Sequence, residues 1–207
     1  MENDIIAIVM AAGKGTRMKS KNSKLVQKIY GKEIVKRAVE NAEKAGVKDI
    51  VAVVGYKKEE VMKVLGDNIK YAFQDEMLGT GHAVMQAKEY LKGKKGKVLV
   101  LNGDVPLIRP ETLNKLIEKS IENKEYATLL TAIYDDPTGY GRIVRDEGGN
   151  IEGIVEEKDT TEEQKKITEI NAGIYCFDIE ALLEALEKIT PNNKQGEYYI
   201  RYSKYYL

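Results

Sequence analysis

The sequence predicts an α/β fold: a doubly wound, mostly parallel, Rossmann-like sheet followed by a strand-rich second half. Two observations support this prediction. Continuous apolar runs of strand length alternate with stretches whose apolar residues recur at helical spacing. The apolar runs lack polar alternation, which is typical of parallel strands that are buried on both faces. Alternation at this spacing implies right-handed crossovers between neighbouring strands.

Strands and helices are expected to alternate through the first half, residues 1–125. Gly46 fits the C-cap of the first predicted helix, and Pro110 lies at the start of the last one. The expected strands cover residues 5–10, 49–55, 70–74 and 97–101. The expected helices cover residues 35–45, 59–65, 80–91 and 110–121.

The second half, residues 126–207, is richer in predicted strands. The turn Glu147-Gly148-Gly149-Asn150 predicts a hairpin between two of them. The expected strands cover residues 127–134, 141–145, 151–156 and 169–177, and a helix follows over 179–189. No repeat or low-complexity linker separates the halves, so we expect one domain over residues 1–207 with a strand-rich lid on the same sheet.

Composition excludes several classes of function. Lys plus Arg (33) equals Asp plus Glu (33), which argues against bulk attraction to nucleic acid or to an anionic membrane. Cys176 is the only cysteine and His82 the only histidine, so neither an internal disulfide nor a cysteine- or histidine-rich metal site is expected. No leader or membrane-length apolar run is evident, so the expected location is the cytoplasm.

The loop after the first strand is suited to hold the phosphates of a nucleotide. It reads Met10-Ala11-Ala12-Gly13-Lys14-Gly15-Thr16-Arg17-Met18. Glycines allow backbone N–H groups to approach a phosphate, a following helix N-terminus would add positive potential, and Arg17 and Lys24 can bind phosphoryl oxygens. The loop is neither a P-loop nor a dinucleotide fingerprint. A glycine turn before a solvated basic face explains the composition equally well.

Polar residues follow other predicted strands at the edge where ligands bind in open α/β sheets. Asp104, at the end of Asn102-Gly103-Asp104, can hold Mg²⁺ or can cap the next helix. Gln74 can pair with a nucleobase edge, and Gly79-Thr80-Gly81 allows close backbone approach, although an edge-strand glutamine and a glycine-rich helix entry are the alternative. In the second half, Glu156 and Asn171 can face a sugar, but a surface glutamate and a turn asparagine are favoured on the residues alone.

Together these segments resemble the uridyltransferase domain of bacterial N-acetylglucosamine-1-phosphate uridyltransferases, a sugar nucleotidyltransferase fold. The matching stretches run in family order over nearly the whole chain. They are residues 11–18, Leu78-Gly79-Thr80-Gly81-His82-Ala83, Gly103-Asp104-Val105-Pro106-Leu107, residues 135–143 with Gly139-Tyr140-Gly141-Arg142, Ile154-Val155-Glu156, Glu169-Ile170-Asn171-Ala172-Gly173 and Gln195-Gly196-Glu197-Tyr198-Tyr199.

The resemblance implies the formation of UDP-N-acetylglucosamine and pyrophosphate from UTP and N-acetylglucosamine-1-phosphate, with Mg²⁺ as cofactor. It implies catalytic roles for Arg17, Lys24 and Asp104, with Asp104 also the metal ligand. Residues implied to contact the nucleotide are Met10, Ala11, Ala12, Gly13, Gln74, Gly79, Thr80 and Gly103. Residues implied to hold the sugar are Asn102, Gly141, Glu156 and Asn171.

The chain departs from the family pattern at three places. Ser23 replaces the usual proline before Lys24, which is expected to loosen that loop, and Asn102 stands where some members carry an aromatic residue. The sequence stops before the family segment that carries a metal-binding asparagine. The hexapeptide repeats of the trimerising β-helix are not found, so a truncated relative and a monomer or weak oligomer are expected. A weakly active or inactive binder of UTP or UDP-sugar is the alternative.

Overall fold

A computed structural model describes residues 5–15 and 21–200. Within these ranges the chain forms ten strands and six α-helices, none of the latter long and apolar enough to cross a bilayer. The strands are β1 (Ile5–Ala11), β2 (Lys28–Ile29), β3 (Lys32–Glu33), β4 (Asp49–Val54), β5 (Lys70–Phe73), β6 (Lys97–Asn102), β7 (Ala127–Ile133), β8 (Arg142–Arg145), β9 (Ile151–Val155) and β10 (Glu169–Asp178). The helices are α1 (Ile34–Lys44), α2 (Lys58–Leu65), α3 (Thr80–Gln86), α4 (Lys88–Leu91), α5 (Pro110–Glu122) and α6 (Ile179–Lys188).

One mixed sheet of eight strands organises the molecule. Its order is β5-β4-β1-β6-β10-β8-β9, and β7 pairs with β10 beside this path. The strands β5, β4, β1 and β6 are parallel, whereas β10 and the strands beyond it pair antiparallel. The predicted α/β, Rossmann-like class is therefore confirmed, and so is the hairpin of β8 and β9.

The central strand β1 is buried on both faces of the sheet. Ile6 and Ile8 pack with residues of α3, α4 and α6, whereas Ala7 and Val9 pack with residues of α1 and α5. Successive side chains of a strand point to opposite faces, so a strand between two helical layers needs apolar residues at every position. This double burial explains the unbroken apolar run that begins the sequence.

Strand β10 connects the parallel half of the sheet to the antiparallel half. Tyr175–Asp178 pairs with β6, while Ile170 lies opposite Arg142 of β8. The register with β7 shifts between Asn171 and Tyr175, where Gly173 has a φ of +70°. A Cβ at Gly173 would lie 2.6 Å from Asn102 Nδ2, so glycine allows β10 to pass close to the end of β6.

One predicted helix is wrong in its extent. The helix expected over residues 80–91 is two helices, α3 and α4, that meet at Ala87. The Ala87 N–H donates to the Val84 carbonyl, three residues back, which is a 3₁₀ bond that tightens the chain. Tyr90 in α4 donates to the Tyr71 carbonyl of β5 at 2.8 Å, so α4 is anchored to the sheet separately from α3.

Candidate active site

A cavity of about 390 Å³ lies at the carboxyl ends of the parallel strands. This is the edge at which open α/β sheets bind their ligands. Nine of the residues predicted to contact substrates or metal share its wall, together with five to which the sequence gives no such role. The wall is formed by Met10, Ala12, Gly13, Gly15, Lys24, Leu25, Gln74, Met77, Gly79, Thr80, Ala83, Asn102, Asp104 and Glu197.

The glycine loop after β1 forms one side of this cavity. A Cβ on Gly13 would meet no protein atom within 4 Å, so the space above its backbone is open to a ligand. Gly15 has a φ of +58° and passes the Lys24 side chain so closely that a Cβ there would lie 3.0 Å from Lys24 Cβ. The Ala12 carbonyl accepts a hydrogen bond from the Tyr56 N–H at 3.0 Å, which ties the loop to the end of β4.

No α-helix backs the glycine loop among the described residues. After residue 20 the chain forms a short 3₁₀ turn at Lys24–Val26 and the hairpin of β2 and β3, and the first α-helix begins only at Ile34. A helix that followed the glycine loop directly would begin in residues 16–20, which lie outside the described residues, so the expected helix N-terminus stays a prediction. Arg17, a predicted catalytic residue, lies outside the described residues.

The segment that carries Lys24 is held firmly at Ser23. The Ser23 backbone N–H donates to Glu60 Oε2 of α2 at 2.8 Å, and its Oγ accepts from the Leu25 N–H at 3.3 Å. Ser23 is 1% exposed. A proline has no N–H, so serine makes a bond here that proline cannot make. The expectation that Ser23 loosens the loop is wrong.

Two hydrogen-bond donors stabilise the ionised form of Glu60. The Ser23 N–H has the larger effect and Lys57 the smaller, and together they hold the pKa of the Glu60 carboxyl below its ordinary value. Lys57 Nζ lies 3.2 Å from Glu60 Oε1 and also donates to the Lys21 carbonyl. Lys57 thus holds the chain at Lys21 and Glu60 holds it at Ser23, so the segment that leads to Lys24 is attached to the first turn of α2.

Lys24 forms an ion pair with Asp104 across the cavity mouth. Lys24 Nζ lies 2.7 Å from Asp104 Oδ2, and both side chains are a third or more exposed. Asp104 follows Gly103, whose N–H donates to the Met10 carbonyl at 2.9 Å. A Cβ on Gly103 would lie 3.2 Å from that same carbonyl, so glycine lets the end of β6 lie flat against β1. Gly103 and Ala11 are buried directly behind the wall.

Gln74, which also lines the cavity, is a buried polar residue with 3% of its surface exposed. Its Nε2 lies 3.2 Å from the Gly79 carbonyl and 3.1 Å from His82 Nδ1. Gly79 has a φ of +104°, and a Cβ there would lie 2.5 Å from the Tyr198 carbonyl. The turn at residue 79 therefore requires glycine for its conformation and for the close passage of the C-terminal segment.

That C-terminal segment is the part of the site that sequence reasoning missed. Tyr198 exchanges backbone bonds with the turn: its N–H donates to the Leu78 carbonyl, and its carbonyl accepts from the Gly81 N–H, each at 2.7 Å. The Ile200 N–H donates to Thr80 Oγ1 at 3.1 Å. Glu197 consequently reaches the cavity wall. The stretch Gly196-Glu197-Tyr198-Tyr199 was a signal for this role, but only as part of a resemblance.

The predicted sugar residues gather beside the cavity rather than in its wall, apart from Asn102. The Asn171 N–H donates to the Gly141 carbonyl at 2.9 Å, and a Cβ on Gly141 would lie 3.2 Å from Glu156 Oε1. The side chain of Asn171 donates to the Tyr175 hydroxyl at 2.7 Å and accepts from the Gly173 N–H at 3.0 Å. These three residues form a group that we call the lid cluster: Gly141, Glu156 and Asn171.

A buried arginine supports the lid cluster from behind. Arg142 is 1% exposed, and its Nη2 lies 2.8 Å from Glu157 Oε2. Arg142 also donates to the Tyr140 carbonyl, and Glu157 accepts from the Gly139 N–H at 3.2 Å. This network fixes the backbone on both sides of Gly141 relative to the end of β9. The pKa of the neighbouring Tyr175 is raised above its ordinary value by burial, so this hydroxyl stays protonated.

Comparison with known proteins identifies the family. A family model described as "Nucleotidyl transferase" matches residues 6–203. The chain belongs to the nucleotidyl transferase family. A solved structure, the putative glucose-1-phosphate thymidylyltransferase from Bacillus anthracis in complex with a sucrose, has the same fold, with a TM-score of 0.76 and 22% identity over 89% of this chain and 75% of that one.

Curated relatives of this nucleotidyl transferase chain are bifunctional proteins named GlmU, which confirms the resemblance. The protein from Caldanaerobacter subterraneus subsp. tengcongensis is 53% identical over 95% of this chain and 43% of its own length. The protein from Clostridioides difficile is 52% identical over 94% of this chain and 42% of its own length. The chain therefore spans about 43% of the length of the curated relatives it matches.

Proposed function

We propose that this chain transfers a uridylyl group from UTP to N-acetylglucosamine-1-phosphate, which forms UDP-N-acetylglucosamine and pyrophosphate. One observation carries the proposal. A single cavity brings the open backbone of Gly13, the buried amide of Gln74 and the ion pair of Lys24 with Asp104 to the ligand-binding edge of the sheet. The family match supports nucleotidyl transfer, and the motif resemblance supplies the choice of uridine and sugar.

We place the nucleotide in this cavity in one direction. Gln74, Gly79 and Thr80 would read the uracil, because this part of the lining combines a side-chain amide with a glycine that admits close backbone approach. Met10 and the segment from Ala11 to Gly13 would line the nucleoside, with Gly103 behind them. The triphosphate would extend to Lys24, since an ammonium group binds phosphoryl oxygens and Lys24 lines the same cavity. Arg17, in the same loop by sequence, is proposed to bind the leaving pyrophosphate.

The reaction needs charge and position more than proton transfer. The attacking phosphate oxygen of the sugar phosphate is already anionic, so no general base is required. An electrostatic donor that is fixed in place before the reaction stabilises developing charge without reorganisation. Lys24 is such a donor, because Ser23 and Glu60 hold its segment to α2. The proposed role of Lys24 is to stabilise the α-phosphoryl group while it is transferred.

Asp104 fits the proposed Mg²⁺. The ion prefers hard oxygen ligands and is commonly held by one or two carboxylates together with substrate phosphates. No group of three or more histidine, cysteine, aspartate or glutamate side chains converges among the described residues. Asp104 is the metal ligand that the resemblance implies, and it lines the cavity. When bound, the ion would supply positive charge to the phosphate oxygens. Asp104 would then share its carboxylate between the metal and Lys24.

The sugar would lie between the cavity and the lid cluster. Asn102 lines the cavity and its Nδ2 lies 3.5 Å from the Gly173 carbonyl, so it connects the end of β6 to the antiparallel half. Glu156 is proposed to accept from a sugar hydroxyl. Asn171 already uses both ends of its amide internally, so we propose that it shapes the backbone at Gly141 and Gly173 as well as facing the sugar.

A pyrophosphate-release assay tests this function. The chain is incubated with Mg²⁺, each of the four nucleoside triphosphates and several sugar 1-phosphates, and pyrophosphate is measured. Release with UTP and N-acetylglucosamine-1-phosphate, well above every other pair, is the expected result. Tight binding of UDP-N-acetylglucosamine without release would favour the alternative of a binding protein, and release with a different pair would replace the proposed substrates.

A further inference from the structure

The orientation of the Gln74 amide is fixed by its surroundings. Its nitrogen lies 3.2 Å from the Gly79 carbonyl, which can only accept a hydrogen bond. The group that faces this carbonyl must therefore be the NH₂ end of the amide, and the oxygen end lies on the other side. That oxygen accepts no hydrogen bond from any residue within 5–15 or 21–200, while Gln74 lines the cavity.

The second contact of the same NH₂ group is His82. Gln74 Nε2 lies 3.1 Å from His82 Nδ1, so Nδ1 must be an unprotonated acceptor for a hydrogen bond to form. The other ring nitrogen, Nε2, lies 3.1 Å from Gln86 Nε2. A neutral imidazole accepts at one nitrogen only, so the two glutamines compete for it.

Each glutamine has a second acceptor besides the ring. Gln86 Nε2 also donates to the His82 carbonyl at 3.1 Å, and Gln74 Nε2 donates to the Gly79 carbonyl at 3.2 Å. Either tautomer of His82 therefore keeps three of these four hydrogen bonds. Only the tautomer with the proton on Nε2 lets the ring accept from Gln74, and in that tautomer two acceptors, the Gly79 carbonyl and His82 Nδ1, hold the NH₂ end of the Gln74 amide.

We propose that His82 is a positioning residue that holds the Gln74 amide with its oxygen toward the nucleobase and thereby selects uracil over cytosine. This inference rests on the proposed function. The N3 position of uracil carries a hydrogen, which an amide oxygen accepts. The N3 position of cytosine is itself an acceptor and would oppose that oxygen. Without His82, the amide of Gln74 rotates more freely and can present its NH₂ group to cytosine.

Three variants test the inference through the ratio of kcat/KM for UTP to that for CTP. His82→Leu removes both ring nitrogens and should lower this ratio about tenfold, the effect of one net hydrogen bond. His82→Asn places an amide oxygen near the position of Nδ1 and should keep the ratio within about threefold of wild type. Gln86→Leu, on the same helix, removes the competing donor together with its bond to the His82 carbonyl, but keeps the contact of Gln74 with His82, and should leave the ratio unchanged. An unchanged ratio in His82→Leu would overturn the inference, as would an equal loss in all three variants.

A spectroscopic measurement tests the same inference without a substitution. His82 is the only histidine, so its imidazole gives the only histidine side-chain signals in a long-range ¹H–¹⁵N spectrum. The spectrum at neutral pH should show the tautomer with the proton on Nε2, and a proton on Nδ1 would contradict the proposed positioning.

Equilibrium binding of UTP and CTP separates the role of His82 from the proposed uridylyl transfer. If wild type shows no preference for UTP in binding or turnover, the proposed function fails. If wild type prefers UTP and His82→Leu retains that preference, only the role of His82 fails.

Discussion

The nucleotide wall and the lid cluster use their polar groups differently. By the nucleotide wall we mean Gln74, Lys24 and Asp104, which line one cavity. Gln74 and Asp104 follow the parallel strands β5 and β6, and Lys24 begins the short 3₁₀ turn after the glycine loop. In the lid cluster, Asn171 directs its amide to Tyr175 and Gly173, and behind the cluster the buried Arg142 is paired with Glu157. The first region is arranged to meet a ligand, whereas the second is arranged first to hold its own backbone in shape.

The largest effect should come from the nucleotide wall. Lys24→Ala removes a fixed positive charge from the proposed path of the phosphates and should lower kcat by about 10²–10³. Steady-state pyrophosphate release measures the loss. Lys28→Ala is the matched control, because Lys28 is an exposed lysine four residues away that pairs with Glu33. Near-wild-type kcat in Lys24→Ala, or an equal loss in Lys28→Ala, would refute the role of Lys24.

The lid cluster should respond to loss of its buried support. Arg142→Met leaves Glu157 without its charged partner and should lower the free energy of unfolding by about 2 kcal/mol, which urea titration measures. It should also raise the KM for N-acetylglucosamine-1-phosphate more than the KM for UTP. Arg145→Met, on the same strand, removes an ion pair whose arginine is 40% exposed, against 2% for Arg142, and should cost less than about 1 kcal/mol. Equal changes in both KM values would show that the two regions do not act separately.

The clamp behind Lys24 should give a smaller effect on turnover. Glu60→Ala removes the acceptor of the Ser23 N–H and should lower kcat about tenfold, because small displacements of a catalytic group are costly. Glu60→Gln should restore much of the rate, since an amide oxygen can accept the same bond. Glu59→Ala removes an exposed carboxylate of α2 and serves as control. If Glu60→Ala turns over at the wild-type rate, Lys24 does not depend on this clamp.

The smallest effect concerns acid stability. Hydrogen bonds from Arg145 hold the pKa of Glu169 below its ordinary value of 4.5, because they favour the ionised carboxyl. The stabilisation is present in full above that ordinary value and is lost as the pH falls through the lower folded pKa. The difference in unfolding free energy between wild type and Glu169→Gln should therefore shrink from pH 7 to pH 3. A difference that does not vary with pH would contradict this assignment.

The nucleotide wall could be predicted from the sequence because topology places its residues. Parallel strands end at one edge of a sheet, so the order of strands and helices alone predicts that Gly13, Gln74 and Asp104 meet. Pairings between distant segments could not be predicted in this way. The bond from Ser23 to Glu60, the docking of Tyr198 on the turn at Gly79 and the break at Ala87 all depend on tertiary contacts that no local pattern contains.

The lid cluster could be predicted only through resemblance. A polar residue in a strand does not reveal whether it faces a ligand or satisfies a buried partner, and Asn171 does the second with both ends of its amide. Arg142 shows the same difficulty, because a charged residue in a hairpin strand is normally exposed, whereas this one is buried against Glu157.

A crystal structure of this chain with UTP would show directly where the nucleotide binds. We expect the uracil within hydrogen-bonding distance of the Gln74 side chain and the triphosphate against Lys24. A nucleotide bound elsewhere, or bound with its base at Lys24 and its phosphates at Gln74, would refute the proposed placement.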